Sequence, residues 1–282
     1  MTDPYPTSRT NRSPAPLGRA AIAGATALLS LSPFLWAIHA SMTRLQSQGP
    51  REPGFDGLHN YKTILGPTFQ FSRAIVNSLL VSSVATGIAI AIAAVSAYAI
   101  ARWRFRWRTT SFGVLVTAGL APPVALIAPT FALIQACGLQ GSLWGLILPN
   151  IAYNVPLSVW LLTNALRSLP VDLEDAAMVD GCPPQHVFWR VVLPSLRPSL
   201  AATATLAFVS CWGEFVMASV ISMGLPSKQT VPVAILGLSR AFELDWGWVA
   251  AGVTLACLPV AALVWLAAPW ISRQVFSGAL KG

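Results

Sequence analysis

The polar segment with the most distinctive spacing is residues 167–197, which lies between long apolar runs. Acidic side chains cluster near its start, and a glycine and two prolines follow them: Asp172, Glu174, Asp175, Asp180, Gly181, Pro183 and Pro184. Carboxylates in the first turn of a helix interact favourably with the helix dipole. This pattern is typical of a short capped helix that can dock on another protein.

The segment predicts two short helices with a stop between them. Asp172 is predicted to cap the first helix, with Asp175 three residues later as its capping-box partner. Gly181 is expected to take the left-handed conformation that ends a helix. The prolines then open a second helix, from about residue 185 to 192, that ends before Pro194. Small residues such as Ala176 and Ala177 suit a docking helix, but an amphipathic connector on the bilayer surface fits the residues equally well.

A few polar residues lie inside apolar runs. Glu214 is costly there, since a charge at mid-bilayer costs about 2.5–3.5 kcal/mol on insertion scales. It either faces a pathway or a partner helix, or lies near a helix break and reaches water. Asn150, Tyr153 and Asn154 share one face of a predicted helix. They are candidates either for lining a hydrophilic path or for joining helices.

Composition determines which elements must position these residues. Of 282 residues, 55% are hydrophobic and 10% are charged, and the mean hydropathy is +0.62. A soluble domain carries about 25% charged residues, so a water-soluble globular protein is excluded.

The four cysteines are far apart, with no Cys-x-x-Cys pair, and predict free thiols. The three histidines are scattered, and no metal site is indicated.

The uncharged gaps predict an all-α polytopic membrane protein with six transmembrane helices, because one span needs about 20 apolar residues. The predicted spans are residues 20–42, 74–101, 111–136, 143–166, 198–223 and 247–271. Residues 1–19 are predicted to form a disordered basic tail, and residues 20–282 one transmembrane domain. A signal peptide is the alternative for the first span. Pro122, Pro123 and Pro129 predict kinks in the third. Residues 46–71 are expected to form short surface helices, and residues 231–238 to lie in the last external loop.

Positive charges predict the orientation, because Lys and Arg stay cytoplasmic. One side would hold Arg9, Arg12, Arg19, Arg102, Arg104, Arg106, Arg108, Arg167, Arg190, Arg197, Arg273 and Lys281, and the other Arg44, Arg51, Lys62, Arg73, Lys228 and Arg240. Both termini and residues 167–197 are therefore predicted to be cytoplasmic.

Arginines alternate with aromatic residues over residues 102–108. Between two spans, this pattern indicates an anchor in the lipid headgroup region rather than a nucleic-acid site.

Residues 167–197 resemble the EAA motif of ABC-importer permeases. That motif runs Glu-Ala-Ala, three residues, Gly, nine residues, Ile-x-Leu-Pro. Its counterparts here are Asp175, Ala176, Ala177, Gly181, Val191, Leu193 and Pro194. Further resemblance to the MalG-like half of carbohydrate importers lies in His59-Asn60-Tyr61, Asn77-Ser78, Trp212-Gly213-Glu214-Phe215 and the terminal 278–282. Together these cover nearly the whole chain after residue 20. Aspartate at 175, Cys182-Pro183-Pro184 and Gly213 depart from the family pattern.

The resemblance implies the ABC type I importer permease fold and a function in ATP-driven import of a sugar or a related polyol or glycerol-phosphate solute. It implies a second, MalF-like permease subunit, two ATP-binding cassette subunits that bind residues 167–197, and an extracytoplasmic solute-binding protein. The chain has no Gly-x-x-x-x-Gly-Lys-[Ser/Thr] loop, so ATP and Mg are expected on the ATPase partner and the chain is not expected to be an enzyme. The resemblance also adds Trp212 to the candidate pathway residues. A secondary transporter or channel without an ATPase is the alternative.

Overall fold

The computed structural model describes residues 16–43, 54–55, 57–240 and 243–279. In the first half of the chain the α-helices are α1 Pro16–Ser41, α2 His59–Leu65, α3 Phe71–Arg102, α4 Arg108–Gly119, α5 Ile127–Ala136 and α6 Trp144–Ser168. In the second half they are α7 Asp172–Val179, α8 Pro184–Val187, α9 Leu193–Ser195, α10 Arg197–Trp212, α11 Val216–Ile221, α12 Val231–Leu238 and α13 Trp246–Ala279. Pro123–Leu126 and Pro226–Lys228 are 3₁₀ turns, and Phe188–Val192 is a π-helical turn. Strands β1 Ser239–Arg240 and β2 Glu243–Leu244 form a small antiparallel hairpin.

Long apolar helices dominate the described residues. Five segments are long and apolar enough to cross a membrane: Ala21–Ser41, Phe71–Arg102, Trp144–Ser168, Arg197–Ile221 and Trp246–Trp270. The bent pair Arg108–Gly119 and Pro123–Ala136 makes a sixth crossing if it counts as one span. The all-α, polytopic fold predicted from the sequence is confirmed. Helix α1 begins at Pro16, so residues 16–19 are helical rather than part of a tail, and the predicted tail over residues 1–15 lies outside the described residues.

The third span is sharply bent, by 94°. Pro122 and Pro123 lie at the bend, where a residue before proline disfavours the α conformation, so the kink predicted there is confirmed. A kink was also predicted at Pro129, but this residue lies inside the continuous helix α5. It is the third residue of α5, and an N–H group in the first turn has no intrahelical partner to lose.

The fifth span is interrupted along its length. Helix α10 ends at Trp212 and α11 begins at Val216. The three intervening residues, Gly213, Glu214 and Phe215, form the break. A helix end inside a membrane exposes N–H groups that need acceptors, and this requirement bears directly on Glu214.

The core is built where α3 packs along α6. Four alanines at intervals of four residues on α3, Ala85, Ala89, Ala93 and Ala97, are fully buried. Small side chains let two helices approach closely, which is how helices associate in membranes. Ala85 packs in one cluster with the start of α6, whereas Ala93 and Ala97 pack in another cluster with its end. The two helices therefore run in the same direction.

The loop side, defined here as the side that holds residues 167–197, carries the ends of α3 and α6. The opposite side carries α2, α12, the β hairpin and the starts of α3 and α13. The amide of Asn60 in α2 donates to the carbonyls of Ser41 and Thr43 at 2.9 and 3.0 Å, which places the end of α1 on that opposite side. Because α1 and α13 each have one end there, their other ends point to the loop side.

The connections on the opposite side match the sequence in outline. Residues 57–71 contain one short helix, α2, whereas more than one was expected over residues 46–71; residues 46–53 and 56 lie outside the described part. The apolar stretch 231–238 forms α12, which is too short to span. As predicted, it lies in the connection between the fifth and sixth spans.

Candidate functional site: the loop at residues 167–197

The first helix of the loop starts one residue earlier than predicted. Val171 occupies the N-cap position and makes no side-chain cap hydrogen bond. The predicted capping box of Asp172 and Asp175 is therefore wrong, because Asp172 is already the first helical residue. Its carboxylate, with those of Glu174 and Asp175, still lies in the first turn, where negative charge stabilises a helix by about 0.3–1 kcal/mol.

The end of α7 is a complete Schellman motif. Gly181 has φ +89°, the left-handed conformation that favours glycine. The N–H of Gly181 donates to Met178 at 3.1 Å, and that of Cys182 to Ala177 at 2.9 Å. These bonds satisfy carbonyls that the helix end leaves free. The prediction for Gly181 is confirmed, and its role is to fix the length of α7 at eight residues.

The second helix does not end before Pro194, contrary to the prediction. It opens at Pro184 as expected, but it continues through the π-helical turn 188–192 into α9. In the π turn the Leu193 N–H donates to the carbonyl of Phe188, five residues back. Pro194 is the second residue of α9 and directly follows the π turn, and it has no N–H to donate to the preceding turn.

The motif residues Val191, Leu193 and Pro194 lie on the body of the protein. Val191 and Leu193 are half-buried and pack against the cluster formed by α3, α6 and residues 187–196. Pro194 is half-buried as well. These residues therefore hold the loop against the spans, and they are not part of its outer surface.

The outer surface of the loop is formed by α7. Asp172, Asp175, Ala176 and Asp180 are exposed, and Val179 is 88% exposed. Ala177 is half-buried. Small and acidic side chains are thus presented outward by a capped helix. Val179, near the end of the helix, is the most exposed of its large apolar side chains.

Glu174 is the buried residue of α7. Its Oε1 accepts from Arg102 Nε at 2.6 Å, and its Oε2 accepts from the Tyr98 hydroxyl at 3.0 Å. Both donors belong to α3. A cavity of about 470 Å³ lies beside this contact, and Trp103 and Trp189 are among its lining residues. Sequence reasoning grouped Glu174 with the outward carboxylates, whereas the structure turns it toward the spans.

The asparagines of the fourth span are buried inside this chain. Asn150 donates to the carbonyl of Leu146 and Asn154 to that of Asn150, each at 2.9 Å. Asn154 also contacts Cys211 Sγ in α10 at 3.3 Å. Tyr153 is half-exposed, and its hydroxyl lies 3.5 Å from that of Thr130. The structure thus places the asparagines between helices of one subunit and leaves Tyr153 partly accessible.

Glu214 caps the broken span. Its two oxygens accept from the backbone N–H groups of Met217 at 2.6 Å and Ala218 at 2.9 Å. Glu214 therefore lies at a helix break, which was one of the two alternatives left open by the sequence. Trp212 beside it is buried, and its indole donates to the carbonyl of Ala256 at 3.2 Å, so Trp212 ties α10 to α13.

With this geometry in place, comparison with known proteins identifies the chain. Residues 83–277 match the family described as binding-protein-dependent transport system inner membrane component. The chain belongs to this family. It is a membrane permease subunit, and the resemblance drawn from residues 175–194 is confirmed at the level of the family.

Several curated permeases are similar to the chain over most of its length. The trehalose transport system permease protein SugB of Mycobacterium tuberculosis is 32% identical over 90% of this chain and 93% of its own. The trehalose/maltose transport system permease protein MalG of Thermococcus litoralis is 30% identical over 91% and 93%. The sulfoquinovosyl glycerol transport system permease protein SmoH of Agrobacterium fabrum is 32% identical over 73% and 72%.

Solved structures of importers share the fold. A chain of a bacterial ABC transporter involved in the import of the acidic polysaccharide alginate superposes with a TM-score of 0.72 at 20% identity, over 90% of this chain and 94% of that one. A chain of the MetNI methionine ABC transporter in an inward-facing conformation gives a TM-score of 0.54 at 14% identity, over 72% and 93%. The importer permease fold expected from the resemblance is confirmed.

Sequence reasoning missed how the opposite side of this permease is held together. The amide of Asn77 donates to the carbonyls of Ser227 and Gln229, each at 3.0 Å, and the Ser78 hydroxyl accepts from the Val231 N–H at 2.7 Å. Asn60 holds the end of α1, and the Tyr61 hydroxyl lies 2.6 Å from that of Ser41. The family resemblance had included Asn60, Tyr61, Asn77 and Ser78 but had assigned them no role.

The terminal segment 280–282, with the side chains of 271–279, lies outside the described residues.

The remaining candidates for chemistry are scattered. In the part of the chain that the structure describes, no group of three or more His, Cys, Asp or Glu side chains could hold a metal ion. All four cysteines are free: Cys137, Cys182, Cys211 and Cys257. The geometry of the described residues is that of a helical membrane subunit with a short, exposed helix, α7, on its loop side.

Proposed function

We propose that this permease is one transmembrane half of an ATP-driven importer for a sugar or a related polyol or glycerol-phosphate solute. The observation that carries the proposal is the outward face of α7, a capped helix of fixed length that presents Asp175, Ala176 and Val179 to a partner. The names of the relatives support the solute class, since they are transport system permeases for trehalose, for trehalose and maltose, and for sulfoquinovosyl glycerol.

The coupling surface consists of the exposed residues of α7 together with the stop that follows. Asp172, Asp175, Ala176, Asp180 and the half-buried Ala177 would lie in a cleft of an ATP-binding cassette subunit, and Gly181 would hold the helix at the length that fits. Val191, Leu193 and Pro194 would carry the motion into the spans, because Val191 and Leu193 pack against the core of α3 and α6 and Pro194 is half-buried beside them.

ATP and Mg would be bound by two such ATPase subunits, because this chain lacks the phosphate-binding loop that ATP hydrolysis needs. A second, MalF-like permease would complete the pathway, and an extracytoplasmic binding protein would deliver the solute. The surrounding partner is the lipid bilayer, and no nucleic acid is involved. Helix α1 suits a subunit interface or a lipid contact, since none of residues 21–39 is buried within this chain.

The candidate translocation residues divide into two groups. Tyr153 and Glu214 are half-exposed, and we propose that they border the path of a hydroxyl-rich solute. An ionised carboxylate has about four acceptor sites, so Glu214 can accept further hydrogen bonds while it caps α11. Asn150, Asn154 and Trp212 are buried, and we propose that they position the helices that form the path.

The orientation follows from the positive charges. We propose that the loop side is cytoplasmic and that both termini are cytoplasmic as well. The ends of α1 and α13 that point to the loop side fit this arrangement, and so do the exposed Trp103 and Trp107, which suit the headgroup region.

The proposal is tested by purifying the chain after co-expression with ATP-binding cassette and permease subunits encoded in the same genome. The expected result is a complex that contains ATPase and a second permease. In proteoliposomes supplied with the solute-binding protein, this complex should take up one solute from a labelled panel of trehalose, maltose, glycerol phosphate and sulfoquinovosyl glycerol only when ATP is supplied. ATP-independent uptake without a copurifying ATPase would contradict the proposal and indicate a secondary transporter.

A further inference from the structure

The docking helix α7 is attached to the membrane domain through a buried ion pair. Glu174 is the buried residue among the eight that form α7. The side chains of Arg102 and Glu174 are only 12% and 9% exposed. Both carboxylate oxygens of Glu174 are bound by residues of α3, Oε1 by Arg102 and Oε2 by Tyr98. The anchor of α7 is therefore polar, and it leads to one particular span.

Arg102 also reaches the end of the fourth span. Its Nη2 donates to the carbonyl of Leu169 at 3.1 Å, and Leu169 is the C-cap of α6. One guanidinium thus joins the end of α3, the end of α6 and the first turn of α7. Its planar set of donors suits such a junction, because an arginine can bind two acceptors in fixed directions.

We infer that the Arg102–Glu174 pair is a positioning element that makes α7 move as one body with the loop-side ends of α3 and α6. The inference rests on the proposed function, in which an ATPase moves α7. An eight-residue helix is too short to be stable alone, and the other residues of α7 are exposed or half-buried. Without the ion pair, α7 would still present Asp175 and Val179 to the ATPase, but it would shift relative to α3.

The adjacent carboxylates of Glu174 and Asp175 have different roles in this arrangement. Glu174 points to α3 and holds the helix, whereas Asp175 is exposed and is available to a partner. Neutralising Glu174 should release α7 from α3 and leave docking in place. Neutralising Asp175 alters the outer face and leaves the link to α3 intact. Asp175→Asn is therefore the matched control for Glu174→Gln.

The experiment measures a distance within the assembled importer. Spin labels are placed at Leu173, which is exposed on α7 but lies outside the proposed docking face, and at Arg104, two residues beyond α3, in a background with the four cysteines replaced by alanine. The distance between them is measured without nucleotide and after trapping with ATP and vanadate. In the parent, and in the Asp175→Asn complexes that copurify with the ATPase, the distance should stay the same. In Glu174→Gln it should change by more than about 2 Å on trapping, the scale of helix shifts in switching proteins.

The outcomes separate this inference from the proposed function. If no ATPase copurifies with the parent, the proposed function fails and the inference falls with it. If the complex forms and Glu174→Gln keeps the parental distance in both states, the inference is overturned while the proposed function stands. If Glu174→Gln does not assemble, the double variant Arg102→Gln, Glu174→Gln decides, because it removes both members of the pair and leaves no buried charge without a counter-ion. A distance that changes on trapping supports the pair as the link, and an unchanged one overturns it.

Discussion

Arg102 Nε lies 2.6 Å from Glu174 Oε1, in a contact between residues 72 positions apart in the chain. This contact fixes the rotation of α7 about its axis. Successive residues of an α-helix are about 100° apart, so an inward Glu174 places Asp172, Ala176 and Val179 on the far side. The exposure of these residues agrees with that geometry. The ion pair therefore determines which face of the helix a partner can contact.

Removing one member of this pair should destabilise the protein. Glu174→Ala leaves Arg102 buried without its counter-ion, and breaking a buried pair costs about 3–5 kcal/mol. We expect a clear fall in the thermal unfolding temperature of the purified permease in detergent. Asp175→Ala, in the same turn but exposed, should change the stability by no more than about 0.5 kcal/mol. Equal effects of the two substitutions would show that the pair contributes nothing to stability.

Gly181→Val should disturb the end of α7 without affecting insertion into the membrane. No heavy atom lies within 4 Å of a Cβ added at Gly181, so the cost is backbone strain at φ +89°, of order 1–3 kcal/mol. We expect the variant to insert normally and to lose ATPase binding in a copurification assay. Gly181→Asn should retain most of it, because asparagine tolerates positive φ.

A matched control exists on the opposite side of the protein. Gly224 has φ +74° and also has no heavy atom within 4 Å of an added Cβ. Gly224→Val introduces similar strain far from the loop, so ATPase binding should be unchanged. Loss of binding in both variants would indicate general damage rather than a role for α7.

Glu214→Ala should weaken the break in the fifth span. The substitution leaves the N–H groups of Met217 and Ala218 without their acceptor, and each unsatisfied buried group costs about 1–3 kcal/mol. Amide hydrogen exchange at these two positions should speed up in the variant. In Glu214→Gln, exchange should be intermediate, because the amide keeps one oxygen acceptor and loses the other. Unchanged exchange at both positions in Glu214→Ala would contradict the capping role.

The topology can be tested with reporter fusions. A fusion after Arg106, between α3 and α4, should give a cytoplasmic signal, and one after Gly138, between α5 and α6, an external signal. The physical reason is the retention of positive residues on the cytoplasmic side. The opposite pattern of signals would reverse the proposed orientation.

The sequence predicted the features that depend on local chemistry. Apolar runs of about 20 residues located the spans, Pro122 and Pro123 located the bend, and Gly181 located the end of α7. Each of these follows from a rule that acts within a few residues. The family resemblance was also visible in the spacing of residues 175–194.

The features that depend on distant contacts were not predictable in the same way. The inward direction of Glu174 depends on Arg102, which is 72 residues away, and the roles of Asn77 and Ser78 depend on a connection about 150 residues further on. The N-terminal cap of α7 was predicted incorrectly because Pro170 and Val171 already supply the carbonyls that begin the helix. A periodicity argument contains none of this information.

The central claim is that the outer face of α7 docks on an ATPase, and a cysteine scan from Asp172 to Asp180 tests it most directly. Each variant carries one cysteine on α7 and is paired with a cysteine in the cleft of the copurified ATPase. The account predicts a periodic pattern, with strong cross-linking at Asp172, Ala176 and Val179, weak cross-linking at Ala177 and none at Glu174, and with yields that change when ATP is added. Absence of cross-linking at every position, or equal yields around the helix, would contradict it.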